Sequence, residues 1–224
     1  MNAKILLFSV CLMVATGAMS QVSFGVQGGG VLSMARVEDN SQLGQTIKAQ
    51  SKFSWQAGLI SDIPLGEGGL RLMPELNYIN KGYKVNTSLT VLGETMTVNG
   101  NSNVGYLELP VNLAYTVPMG GNNLLIGAGP YAAYGLGGKT KVETNFAGQQ
   151  VKQDTDVKFG SAEDEIKRFD YGLNIMAGYL LSNGLLVKLN YSLGLAELSN
   201  TSDRKYKNSY FGLTVGYFIK KAGK

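Results

Sequence analysis

Taken two residues at a time, the segment 70–81 divides into two faces. Leu70, Leu72, Pro74, Leu76 and Tyr78 share one, while Arg71, Met73, Glu75, Asn77 and Lys81 share the other. Period-2 alternation marks an extended strand with one face turned to an apolar medium. The same pattern recurs over about 22–34, 52–63, 103–117, 123–136, 167–181, 185–197 and 208–219. Clusters of Gly, Asn, Asp and Ser separate these segments, as turns require. Eight strands are predicted.

The connections alternate as well. PLGEGG, PMGGN and SNG form tight turns after the second, fourth and sixth strands. Longer polar stretches, about 35–51, 83–103, 138–166 and 199–207, lie between them. Short turns at one end and long loops at the other describe an all-β, eight-stranded antiparallel up-and-down barrel. In a transmembrane barrel the turns face the periplasm and the loops face outward.

A soluble barrel with an apolar interior would show the same alternation, so the contents of each face must decide. The apolar face is almost free of charge in all eight segments. The opposite face is small as well as polar, with Gly25, Gly58, Gly172 and Gly212 among its residues. Small residues suit the narrow interior of eight strands, whereas on a water-facing surface they weaken a strand without any packing gain. Aromatics on the apolar face form two rings. Phe24, Tyr115, Tyr179 and Tyr217 lie toward the turns, and Phe53, Trp55, Tyr78, Tyr134, Phe169, Tyr191 and Phe211 toward the loops. An aliphatic band flanked by two aromatic girdles is the layout of a membrane wall. The predicted barrel therefore turns its apolar face to lipid.

Charge then has to lie inside. Arg71, Glu75, Lys81, Glu108, Asp170 and Lys188 supply both signs on inward positions. An unpaired charge in a narrow lumen costs several kcal/mol, so an internal network is expected. Arg71 and Lys188 should lie low, Glu75 and Glu108 near the middle, and Lys81 and Asp170 near the loop end. Pro74, Pro110 and Pro130 interrupt three adjoining strands at similar heights, which predicts one patch of weakened pairing.

The first 20 residues read as a cleaved signal peptide. Lys4 precedes an apolar run from Ile5 to Ala15, and Ala18-Met19-Ser20 supplies small residues before a cut that leaves Gln21 first. Residues 21–224 then form one barrel domain with its N-terminus in the periplasm. The single cysteine, Cys11, leaves with the leader, which excludes disulfides and thiolate chemistry from the mature chain. Net charge is +4 over 224 residues, too mild and scattered for a nucleic-acid partner. There is no histidine, so the Ser-His and Asp-His arrangements of lipid-modifying or proteolytic barrels cannot form. Glu163 with Glu165, or Asp154 with Asp156, could in principle do acid-base work, but their segment reads as a solvated mixed-charge loop. No EF-hand spacing is present. No catalytic, cofactor-binding or metal residue is assigned.

The segments MPELNYINKG, YLELPVNLAY, GPYAAYGLGGK, FDYGLNIMAGYLL, LNYSLGLAELS and KNSYFGLTVGYFI resemble, in order, those of the PorT-like outer-membrane β-barrel family, abundant in Bacteroidota. The resemblance covers about Val22 to Phe218. It implies an integral outer-membrane barrel, and its namesake is associated with secretion of proteins across that membrane. Members usually end on the aromatic that closes the last strand; here Phe218 takes that place and IKKAGK follows.

A small integral barrel with a side-chain-filled lumen is expected, in a structural, interaction or secretion-associated role. The alternatives are a narrow channel for small solutes or protons and, less favoured, a lipid-modifying enzyme. TSLTV and ETMTV alternate around Leu92-Gly93, and KTKVETNF faces QQVKQDTDV across Ala147-Gly148. Both pairs predict β-ribbons beyond the membrane, with edges able to capture an extended partner. The implied partners are outer-membrane lipid and lipopolysaccharide, the barrel-assembly machinery, and a protein at the outward loops.

Overall fold

The computed structural model describes residues 22–39, 49–91, 94–146, 149–201 and 204–219. The segment read as a signal peptide, the basic C-terminal tail and the two expected ribbon tips at 92–93 and 147–148 lie outside the described residues. Ten strands are present among the described residues: β1 (Ser23–Asp39), β2 (Ala49–Gln50), β3 (Lys52–Pro64), β4 (Leu70–Val91), β5 (Glu94–Met119), β6 (Asn122–Phe146), β7 (Gln149–Asp156), β8 (Phe169–Leu180), β9 (Leu185–Gly194) and β10 (Arg204–Ile219).

Eight of them close a ring by antiparallel pairing in the order β1, β3, β4, β5, β6, β8, β9, β10, with β10 returning to β1. Closure leaves the wall without an unpaired edge. The other two strands are additions to the expected eight: β2 pairs with β4, and β7 pairs with β6.

The alternation has the polarity of a membrane wall. Along β8 and β9, Ile175 is 57 % and Leu189 60 % exposed, whereas Asn174 is 3 % and Lys188 2 %. Leu109 likewise points outward. The aromatics named above lie on the outer face, and at the loop end Trp55 meets Tyr78, Tyr134 meets Phe169, and Tyr191 meets Phe211 with ring centroids 4.6–5.2 Å apart.

Glycine has two distinct uses. Gly66, Gly69, Gly120, Gly121 and Gly184 have positive φ and make the three tight turns. Gly172 faces inward where a Cβ would overlap the carbonyl oxygen of Leu193, so the strands can draw together only without one.

The three prolines lie side by side. Pro74 is opposite Val111, and Pro110 is opposite Tyr131, next to Pro130. Each coincides with a gap in a ladder: Ser61–Asp62 against Met73–Pro74, Glu75–Leu76 against Leu109–Pro110, and Val111–Asn112 against Gly129–Pro130. The missing donor and the ring explain the gaps.

Beyond the loop-end girdle the strands continue. β4 and β5 pair as far as Val91 and Glu94, and β6 pairs with β7 along all of β7. Separate ribbons were expected, yet β5 and β6 also stay paired as far as Thr97 and Asn145. One sheet of β4, β5, β6 and β7 results, flanked at its base by the short β2 on β4, and only its outermost strands present edges. A bulge at Gly105/Tyr106 leaves Leu136 as an extra residue on β6 where this sheet begins.

The segment after β7 also departs from expectation, since part of it folds over the barrel mouth. Ile166 bridges to Phe159 and Ser199 and packs on the upper core. The Asn200 amide holds it by donating to the carbonyls of Gly160, Ala162 and Glu165, each at 3.0 Å. Spacing showed only its charges, whereas its anchor is one isoleucine.

Candidate functional site

The lumen is filled in layers. At the turn end the Arg71 guanidinium donates to the Asp62 carboxylate. Above this pair comes an apolar layer of Ile60, Met73, Ala114, Leu125, Met176, Leu186 and Phe218. Reading the inner face as polar and small missed this plug. Phe218, at the end of the last strand, therefore points into the barrel, and its outward neighbours are Tyr217 and Ile219.

The middle layer is polar. The Lys188 ammonium donates to Glu75 and to Gln27 Oε1 at 3.1 Å. Glu75 also accepts from Gln27 Nε2 at 2.7 Å, Asn77 Nδ2 at 3.0 Å and Asn112 Nδ2 at 3.4 Å. From Asn112 a chain of side chains continues: Asn174 Nδ2 donates to Asn112 Oδ1 at 2.9 Å, and Ser192 Oγ to Asn174 Oδ1 at 2.7 Å. β4, β5, β8 and β9 each contribute an inward residue to it, because period 2 returns a side chain to the axis at every second position.

Nearer the loops, Lys81 sits between two carboxylates, 2.7 Å from Glu108 Oε2 and 2.9 Å from Asp170 Oδ2. All three side chains are excluded from solvent. Tyr210 donates its hydroxyl to Glu108, Tyr131 to Asp170 Oδ1 at 3.3 Å, and Asn208 Nδ2 to Asp170 Oδ2 at 3.1 Å. The rings of Tyr106, Tyr131 and Tyr210 stand 4.6–5.4 Å from the ammonium. Buried charge is tolerable only with this degree of pairing and hydrogen bonding. Tyr210 also meets Ser192, which joins the two polar layers. Val157, Phe159 and Ile166 cover the top.

The six charges singled out by alternation thus fall into three groups, of which the upper two are joined through Ser192 and Tyr210 while the third stands apart. Glu75 is with Lys188; Lys81 is with Glu108 and Asp170; Arg71 is below the plug with Asp62. Asp62, the amides and the tyrosines were not singled out, although parity with Gly58 and Ile60 places Asp62 on the inner face. Arg168 precedes β8 and lies over the rings of Tyr134 and Phe159. Asp154 pairs with Lys141 and Asp164 with Lys158, both at 3.5 Å on exposed surface. Chemically, the lumen neutralises charge and orders hydroxyls and amides. Among the described residues no nucleophile there is paired with a base in the manner of a triad.

Residues 15–200 match the family described as outer membrane protein beta-barrel domain. The chain belongs to that family. It is a small integral outer-membrane β-barrel protein. No curated protein matches it. Among solved structures it is similar to Ail, the attachment invasion locus protein of Yersinia pestis, in complex with the heparin analogue sucrose octasulfate, at 16% identity and TM-score 0.41, covering 89% of this chain and 99% of that one. Neisserial surface protein A is similar at 14% identity and TM-score 0.39, covering 90% and 99%. OprG of Pseudomonas aeruginosa is similar at 14% identity and TM-score 0.41, covering 89% and 96%. At these levels the likeness says nothing of what this chain binds.

Proposed function

We propose that this barrel is a closed, non-enzymatic anchor that carries an interaction sheet outside the outer membrane. In this reading residues 1–20 are cleaved, the turns and the N-terminus face the periplasm, and the barrel-assembly machinery inserts the chain. The observation that carries it is the contrast between the two ends of β4–β7. Within the wall β4, β5 and β6 help enclose ion pairs cut off from water; beyond it they form a sheet whose last strand, β7, is exposed along its whole length and paired on one side only. An unpaired edge offers backbone donors and acceptors to an extended segment of a partner protein. The resemblance to PorT-like barrels supports a secretion-associated partner.

Mild crosslinking on native membranes followed by pull-down tests this reading. The intact chain should recover a reproducible partner, and Val151→Pro with Gln153→Pro in β7 should lose it while the barrel still folds. Recovery unchanged by the prolines would contradict edge capture.

A proton-path reading draws on the side-chain chain from Lys188 through Glu75, Asn112, Asn174 and Ser192 to Tyr210. The apolar layer around Leu186 and Phe218 interrupts it toward the turns. Planar-bilayer recordings should accordingly show no porin-like conductance, and steady single-channel currents would favour the channel instead.

A further inference from the structure

On the outer wall the strand register sorts the loop end into level rows. Tyr78, Leu107 and Tyr134 share one row of the aromatic girdle. The next outward row is Asn80, Gly105 and Gly137, nearly without side-chain bulk. Above it come Gly82, Asn103, Lys139 and Asp156, then Lys84, Asn101, Lys141 and Asp154. A trough of about 700 Å³ runs along the small row, with Trp55 and Tyr78 at one side and Lys139 and Lys141 at the other. The two aromatic rings lie against each other at 5.2 Å and form a continuous wall.

The charge of this wall is mixed but has a free component. Lys141 pairs with Asp154 at 3.5 Å. Asp156 faces the trough as its one acid. Lys139 has no ion pair among the described residues, and Lys84 stands exposed two rows above the small one. At the turn end, by contrast, the charges among the described residues are Asp62, Glu67 and Arg71, with no lysine. Aromatic girdles settle at the level of lipid headgroups, so cations just above one lie at phosphate height.

We propose that this trough seats the phosphorylated sugar headgroup of an outer-leaflet lipid. The sugar packs on Trp55 and Tyr78, the phosphate reaches Lys139 with Lys84 and Lys141 behind it, and Asn80 and Asn103 supply hydrogen bonds. Lysine suits phosphate as a point charge. A lipid occupant is favoured over a soluble anion because the trough opens on the lipid-facing wall and its lower border is apolar. The inference rests on the outward orientation of the loop end proposed above.

The test uses the mature barrel in detergent and three probes: lipid A, dephosphorylated lipid A and inorganic phosphate. Lys84→Glu with Lys139→Glu should weaken lipid A binding by about tenfold, taking roughly a few-fold for each charge reversed near a headgroup. Gly137→Phe should weaken it comparably by filling the trough; a Cβ at Gly137 has nothing within 4 Å, so the new side chain starts in open space. Heat-dependent gel mobility confirms that each variant is folded, and Gly137→Phe carries the test if the charge variant is not. Dephosphorylated lipid A should bind weakly, and inorganic phosphate should not displace the lipid. Equal binding by the variants, or by the dephosphorylated lipid, overturns the site. Displacement by phosphate overturns the lipid assignment. Protease cleavage of β7 on intact cells tests orientation separately: an uncleaved β7 refutes the outward loop end, whereas a cleaved β7 without lipid A binding refutes the trough alone.

Discussion

Lys81 is the residue on which the upper lumen depends. Its ammonium is the counter-charge for both Glu108 and Asp170, and all three side chains are shut off from bulk solvent. Lys81→Met leaves two carboxylates facing each other in a dry space and should destabilise the barrel by about 3–5 kcal/mol, the usual cost of orphaning a buried charge. Denaturant unfolding in lipid vesicles would measure this, and a loss below about 1 kcal/mol would contradict the role assigned to the cluster. Glu75 and Lys188 offer the complementary case. Glu75→Leu alone strands Lys188, whereas Glu75→Leu with Lys188→Met removes both charges and should recover most of the lost stability. These inward charges were legible in the sequence because alternation fixes the face. Their pairing was not, because a partner across the lumen is set by register around the whole ring, which no single segment contains.

At the scale of elements, the proline patch divides the wall. β3–β4, β4–β5 and β5–β6 each carry a gap where β8–β9 pairs without interruption. Local opening should be easiest where ladder bonds are absent. Amides of Leu76, Leu109 and Val111 should therefore exchange with deuterium before those of Ile175 and Leu189. Uniform protection around the ring would show that the gaps have no dynamic consequence. Proline spacing alone pointed to this patch, since a missing N–H is a local property. The fusion of the two ribbons into one sheet was hidden for the opposite reason. Thr97 and Asn145 are far apart in sequence, and nothing in either ribbon states that β5 and β6 remain paired beyond the girdle. The lid residue Ile166 was masked in the same way by the charges around it.

The whole molecule joins two solvation problems. Outside, aliphatic side chains between two aromatic rings match the bilayer; inside, ion pairs and amides lie between an apolar plug and an apolar cap. Fold class followed from face composition because charge-free alternation in eight segments leaves one workable closure. The plug did not, because Ile60, Leu125 and Leu186 occupy inward positions that the prevailing polarity of that face obscured. Cys11 is the single cysteine, so a chain carrying Cys11→Ser allows polarity to be measured one position at a time. Leu109→Cys and Leu189→Cys, labelled in vesicles with an environment-sensitive maleimide, should be quenched by spin-labelled lipid chains and not by aqueous iodide, while Asn174→Cys should be reached by neither. Ready iodide quenching at Leu109 and Leu189, with lipid access at Asn174, would mean the barrel is the other way out.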